Sequence, residues 1–319
     1  MTASGAHVDL GYGPDQEALA DAVGAWAAQH ATDAAIREVD GAMPSALWSD
    51  VADLGVLGLA TAEGGGGALE VAAAMEVLGG VAMPGPLVAT FLANQLVDDD
   101  DVRADVAAGK VVVAVGARRL VPWAPVADVF VELDTAGRQA WLARPTSEVE
   151  AVETLGGEPW GKVELERLRP LDGVGRAVAL GDLAVAAYLA GAAQRLVTIT
   201  AEWAGDRKQF GRSIGEFQSV AHPLTDIAIR AGAARSLARM AAYAWDDGGA
   251  AATSGAAAAR LSATRAAVDA AYRAHQAFGA LGYTVEGPVA LLAQRVRQVS
   301  LHPPGPGPAR DAALARHGI

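Results

Sequence analysis

The sequence predicts an α protein with a small β domain, ordered helices, strands, helices, and three observations carry that prediction. Apolar residues recur at three- and four-residue steps from Asp15 to about Leu96, the spacing of one helix face. Between Lys110 and Leu168 they fall instead into short β-branched or alternating runs separated by Gly, Pro or Asp. After Pro170 the helical spacing returns and holds. The chain has 319 residues, about two domains on the usual prior of roughly 150 residues each. The shifts in pattern place an N-terminal helical domain over 1–106, a small antiparallel β middle domain over 107–170 and a C-terminal bundle of long helices over 171–319.

In the first unit Leu19, Val23 and Trp26 share a helix face. Ser45 precedes a run through Leu47, Trp48, Val51 and Leu54, and Gly55 is placed to close it, because glycine enters the left-handed conformation without a Cβ clash. Gly64 to Gly67 reads as a turn, since it lacks the Gly-Lys-Ser/Thr ending and the preceding strand of a phosphate loop. Helical runs follow from Leu69 to Leu78 and, past the Pro84-Gly85-Pro86 break, from Leu87 to Leu96. Asp98 to Asp101 is a solvated loop or the start of a helical turn. In the middle, Val111 to Val115, Val126 to Leu133, Ala140 to Ala143 and Lys162 to Leu165 read as strands of one antiparallel unit.

Beyond Pro170, Leu183 to Ala204 forms a long apolar helix with Arg195, Thr198 and Glu202 on one stripe. The next carries Phe217, Val220, Leu224, Ile227, Ala231, Ala234, Ala238, Ala241 and Trp245 on a buried face, and Pro223 either kinks it or marks a start near His222. A third runs from Ser254 to Phe278, where Asp269 lies four residues from both Arg265 and Arg273 and can pair with either.

Composition narrows the function. Hydrophobic residues make up 52% of the chain, enough for a sizeable core, and the formal charge is −12. With no basic block of five, the chain lacks the charge that phosphate neutralisation needs, which disfavours nucleic acid. Cysteine is absent, so no disulfide or thiolate chemistry is available. Met1 to Glu17 shows no signal pattern, and the most apolar stretch, Leu183 to Ala193, is cut by Gln194 and Arg195, short of the ~20 residues a bilayer needs. The expectation is a cytoplasmic protein with no membrane span.

The most informative stretch is Asp206-Arg207-Lys208-Gln209-Phe210-Gly211-Arg212-Ser213-Ile214-Gly215-Glu216-Phe217-Gln218, continuing to His222, Leu224 and Asp226. Arg207 offers a planar, permanently charged fork, Gly211 and Gly215 permit close backbone approach, and Phe210 gives an apolar surface for a ring, which together suit a dinucleotide with a pyrophosphate. The purely structural alternative makes Arg207 a surface cation at a helix end and Phe210 a core residue. His222 and Asp226 lie four apart beside Gln218. A buried, hydrogen-bonded histidine at a subunit contact is the expected role there, rather than a metal or base pair.

This stretch resembles the acyl-CoA dehydrogenase family, whose members carry an Arg-x-x-Phe-Gly turn and then a Phe-Gln or similar pair at the start of a long helix. The Trp48 to Leu59 run, Glu76-Val77-Leu78-Gly79 before Pro84, and Gln276-Ala277-Phe278-Gly279-Ala280-Leu281-Gly282-Tyr283-Thr284-Val285-Glu286 are also similar to the family pattern, as is the order of domains. The resemblance covers nearly the whole chain and implies a reduced antiparallel β middle domain and a C-terminal long four-helix bundle. It implies that Arg207, Phe210, Ile214 and Gln218, with Gln276, Gly279 and the Ala280 backbone, meet the adenosine-diphosphate part of an FAD belonging to the adjacent subunit.

In this family a carboxylate removes the α-proton of an acyl-CoA while a hydride leaves the β-carbon for the flavin. The resemblance places that base about 30 residues before the Phe of the Arg-x-x-Phe-Gly turn or about 15 after the Glu of the Gly-Tyr-Thr-x-Glu run. Here those positions fall near Gly181 and near His302-Pro303, neither a carboxylate. Asp182, one residue off, is the nearest candidate, and about 100° separates adjacent helical residues. No Trp-x-Thr-x-Ser-like flavin strand occurs between Lys110 and Leu168.

The resemblance is therefore to the short non-catalytic subunit of actinobacterial α2β2 acyl-CoA dehydrogenases. It implies no catalytic residue in this chain, a second acyl-CoA dehydrogenase-like subunit bearing the Glu, a bulky acyl-CoA substrate of steroid type and an electron-transfer flavoprotein-type acceptor. It also implies that the alanine-rich faces of the long helices are buried between subunits. The alternatives are a self-sufficient homo-oligomeric dehydrogenase using Asp182 or another residue as base and a flavin-free structural protein on the same fold.

Overall fold

The computed structural model describes residues 10–39, 41–249 and 252–315; residues 1–9, part of the stretch read as lacking a signal pattern, lie outside it. The first helical unit comprises α1 (Pro14–His30), α2 (Asp33–Glu38), α3 (Ser45–Asp53), α4 (Ala68–Gly80), α5 (Leu87–Leu96) and α6 (Asp100–Ala107). Thr32 caps α2 by accepting from Ala35 N at 3.3 Å. Gly55 closes α3 at φ 75°, the left-handed cap its position demanded. Gly64 to Gly67 is a turn, bridged from Thr61 to Gly65, and α4 begins immediately after it. The acidic run opens α6, with Asp99 accepting from Val102 N.

Two sheets, rather than one antiparallel unit, make up the middle. One has the order β1 (Val113–Gly116), β3 (Val129–Leu133), β4 (Ala140–Pro145), β7 (Leu165–Leu171), and the other β2 (Leu120–Pro122), β6 (Trp160–Lys162), β5 (Glu150–Val152). β1 runs parallel to β3, with Val113 opposite Val129, because β2 between them leaves for the second sheet. The run from Lys162 to Leu165 is not a strand but the corner between sheets, where buried Val163 donates its N–H to Arg119 O at 2.9 Å.

The C-terminal unit is built on α7 (Val174–Asp206), followed by the hairpin β8 (Lys208–Gln209) and β9 (Arg212–Ser213), then α8 (Gln218–Asp246), α9 (Ala252–Phe278), α10 (Ala290–Val299) and α11 (Pro306–Ala315). Three of these helices are long, and the last two have 10 residues each, so the expected four long helices become three with two short ones. By length and composition α7 could cross a bilayer, but 89% of its apolar window is buried inside the fold. It packs on α4, α5, α8 and α9.

The crossing of α7 with α4 is close enough to require glycine on both helices. A Cβ on Gly79 would lie 1.9 Å from Tyr188 O, and one on Gly191 would lie 1.9 Å from Glu76 O. The small residues of α7 are thus spent on the chain's own core, which corrects the expectation that this helix faces another subunit. α8 starts at Gln218 and contains Pro223, so its beginning is not at His222. Asp269 pairs across to Arg230 of α8 instead of with Arg265 or Arg273 on its own helix. Asp246, near the end of α8, accepts from Ala68 N at 2.7 Å and Leu69 N at 3.1 Å, tying the bundle to the first turn of α4.

Candidate functional site

The α7–α8 connection is a two-residue hairpin. Lys208 pairs with Ser213 and Gln209 with Arg212, leaving Phe210 and Gly211 as the loop, both at positive φ, 51° and 82°. This is the primed turn that fits strand twist, and glycine serves its second position without strain. Phenylalanine at the first position costs about 1–2 kcal/mol. Its ring is nevertheless 92% exposed, so no core burial offsets that cost. The reading of Phe210 as a core residue is therefore wrong.

The hairpin is anchored at both ends. Ser213 Oγ donates to Ala204 O at 2.6 Å, Ile214 N donates to Arg207 O at 2.8 Å, and the Arg212 guanidinium lies 4.1 Å from the Phe217 ring centre. Trp203 stacks on Phe278 at 4.9 Å and donates Nε1 to Ala277 O, which joins the end of α7 to the end of α9. Between hairpin and helices lies an open groove of about 480 Å³ lined by Phe210, Ile214, Phe217, Arg273 and Gln276 among others. No carboxylate lines it, in a chain of net charge −12.

A second cluster lies in the interior. Arg260 of α9 is fully buried and donates from Nη1 to Asp182 Oδ1 at 2.6 Å and from Nη2 to the His302 carbonyl. The His302 ring in turn donates Nε2 to Glu158 Oε2 at 2.8 Å. Arg295 Nη1 stands 3.2 Å from Glu158 Oε1 as an ion contact rather than an aligned hydrogen bond, and Trp160 Nε1 donates to Oε2 at 3.3 Å. Burial pushes the Glu158 carboxyl up, but the charges of His302 and Arg295 with these hydrogen bonds outweigh it and hold the group below the ordinary range. At Asp182 burial prevails and raises the carboxyl, with Arg260 pulling the other way.

Comparison with known proteins decides the lineage. The acyl-CoA dehydrogenase N-terminal domain matches residues 13–98 and the C-terminal domain matches residues 174–302. The acyl-CoA dehydrogenase IpdE2 of Mycobacterium tuberculosis is 30% identical over 292 residues, covering 85% of this chain and 87% of its own. The chain belongs to the acyl-CoA dehydrogenase family. Its fold is shared with a variant of the Tcur3481-Tcur3483 steroid ACAD, at TM-score 0.84 and 22% identity over 95% of this chain and 98% of that one. The ChsE4-ChsE5 complex of Mycobacterium tuberculosis matches at TM-score 0.81 and 23% identity over 98% of each chain. At such identities these two likenesses speak to fold alone.

As an acyl-CoA dehydrogenase-type oxidoreductase, the chain has a surface suited to flavin dinucleotide. Phe210, Ile214 and Gln276 meet in the groove. Arg207 and Gln218 are exposed but outside its lining, as are Gly279, at φ 61°, and Ala280 on the short turn after α9. The groove's donors and exposed ring, without a carboxylate, fit an anionic aromatic ligand reaching in from outside. Ser219 and Arg273 were missed from the sequence, although Arg273 lies one helical step from Gln276.

His222 and Asp226 are exposed in the single chain, so the expected burial of His222 is absent within it. Among the described residues no three His, Cys, Asp or Glu groups could hold a metal. Arg260, also missed, carried a legible signal: it lies in phase with buried Ala256, Ala263 and Ala267, a charge on an otherwise alanine face.

Proposed function

We propose that this chain is the non-catalytic subunit of a heteromeric, flavin-dependent acyl-CoA dehydrogenase. Arg207, Phe210, Ile214 and Gln218, with Gln276, Gly279 and Ala280, would hold the adenosine-diphosphate end of an FAD whose ring lies in a partner subunit. An FAD held there would supply the hydride acceptor, and this chain's residues would bind and orient its adenosine-diphosphate end. The partner supplies the catalytic Glu.

One observation carries this reading. Neither place where the family's base is expected, near Gly181 and near His302, offers a free carboxylate: Asp182, next to the first, is paired with Arg260, and His302 is held by Glu158 and, through its carbonyl, by Arg260. The Arg260 guanidinium occupies the Asp182 carboxylate with a hydrogen bond, even though burial raises that carboxyl. A bulky, steroid-type acyl-CoA, an electron-transfer flavoprotein-type acceptor and a cytoplasmic setting belong to the same reading. The steroid ACAD and the two-protein ChsE4-ChsE5 complex that share this fold support it.

A second reading rests on a separate observation: Asp182 lines a cleft of about 630 Å³ between the β3–β4 turn and α11, and its burial raises the carboxyl. It makes the chain a self-sufficient dehydrogenase. Turnover of acyl-CoA with an artificial electron acceptor separates the two. The proposal expects a colourless, inactive chain alone and a yellow, active complex with the partner. Turnover by the chain alone that Asp182→Asn abolishes would establish the second reading.

A further inference from the structure

We infer that the cavity between the β5–β6 loop and helices α9 and α10 binds an amphipathic anion, an apolar ring system or chain carrying one carboxylate-like end. The cavity measures about 620 Å³, inside the roughly 300–1,000 Å³ of small-molecule sites. It shares no lining residue with the hairpin groove or with the cleft at Asp182. Leu301 lines this cavity and Pro304 lines the cleft, so the intervening segment separates them.

The walls are fixed before any ligand arrives. Buried Gln298 accepts from Glu158 N at 3.3 Å and donates Nε2 to Thr154 Oγ1 at 2.9 Å. A Cβ on Gly156 would fall 1.8 Å from its Oε1, so only glycine fits there. The loop is thereby pinned on both sides of Leu155, whose side chain stands 90% exposed at the rim. Trp160, another wall, is held by Glu158 through its indole N–H and lies edge-on to the His302 ring. Leu120, Tyr272 and Leu301, also exposed, line the same cavity, and a contiguous exposed apolar surface of this kind marks a binding site.

Charge selects the ligand's head. No Asp or Glu lines the cavity, although acidic residues outnumber basic ones 37 to 25 in the chain. Arg297 lines it, is exposed, and has no carboxylate partner among the described residues. His275 also lines it; its Nδ1 is committed to Gly282 O at 2.7 Å, leaving Nε2 as the ring's remaining polar atom. One guanidinium at the edge of an apolar space matches one anionic end, and its fork suits a carboxylate.

Calorimetric titration tests this on the full chain, alone and co-purified with its partner. The probes are dodecanoate and, as a charge control, dodecyltrimethylammonium, both below their micellar concentrations. Dodecanoate should bind with one site per chain, and Arg297→Gln should weaken it about tenfold or more while leaving the melting curve unchanged. Leu155→Asp should weaken it similarly, and Phe210→Ala, in the other groove, should not. Flavin content is scored in parallel and should be unaffected by Arg297→Gln, so this inference and the FAD half-site can fail separately. The inference is overturned by absence of saturable binding, by equal binding of the cation, by insensitivity to Arg297→Gln, or by binding to the lone chain that disappears in the complex.

Discussion

Asp182 and His302 are joined through one guanidinium, with Arg260 donating to the carboxylate of the first and to the backbone carbonyl of the second. On the proposed reading the pair serves the fold and not the reaction, and that makes a sharp distinction possible. Asp182→Asn in the assembled complex should leave turnover within about threefold, whereas loss of a general base commonly costs about 10²-fold or more. The same change should lower stability by about 3–5 kcal/mol, because it leaves the buried Arg260 without its counter-charge. Steady-state kinetics and a thermal melt on one preparation give both readouts.

The Glu158 cluster predicts an acid limb. Its carboxyl is held below the ordinary value in the folded chain, so it contributes stability above the unfolded carboxylate pKa of about 4.3 and loses it as pH falls through the folded pKa. Asp182, raised by burial, acts in the opposite direction over the adjoining range, so the clean comparison is with Glu158→Gln. That variant should melt lower at pH 7 and show a shallower loss of stability between about pH 5 and 3 than the parent. Parallel pH profiles for both proteins would contradict the assignment.

Phe210 separates function from stability. Glycine at this positive-φ position removes the left-handed penalty, so Phe210→Gly should leave the fold unchanged or stabilise it by up to about 1 kcal/mol. Flavin retention by the complex should fall at the same time. A variant that loses stability and keeps its flavin would return Phe210 to a structural role.

Assembly should depend on α8 rather than α7. Ile229, Met240 and Tyr243 are 65%, 51% and 54% exposed and fall on one stripe of that helix. We expect Ile229→Arg to convert a 2:2 complex into smaller species by light scattering while the melt of the chain changes little. An unchanged 2:2 mass would place the subunit contact elsewhere.

Much of the fold was legible because burial follows the helical period. The buried face of α8 at Ile227, Ala231, Ala234, Ala238, Ala241 and Trp245 matches six of the nine residues singled out by spacing, while Phe217, Val220 and Leu224 are half-buried and line the groove instead. The sheets were less readable, since β6 is only Trp-Gly-Lys and β5 is Glu-Ala-Val, too short and too polar for alternation to register. Nor does local pattern reveal that β2 leaves its neighbours for a second sheet, making β1 and β3 parallel.

At the site, the Arg207 to Gln218 stretch was visible as a motif, but the exposure of Phe210 was not, because propensity argues against an aromatic residue at positive φ. Glu158, Arg295 and His302 come together only through tertiary packing, so nothing in their local sequence announces them.

The decisive measurement is FAD affinity of the size-exclusion-purified complex carrying Arg207→Ala, read as flavin per complex over a range of added FAD. If Arg207 neutralises the pyrophosphate across the subunit contact, the change removes a charge-assisted contact of roughly 1.5–3 kcal/mol, or about one to two decades in Kd. Arg207→Lys should recover part of that, keeping the charge but not the fork, and the 2:2 assembly should survive both because Arg207 is exposed. An unchanged FAD Kd in Arg207→Ala, or a loss of flavin that only tracks loss of complex, would contradict the half-site.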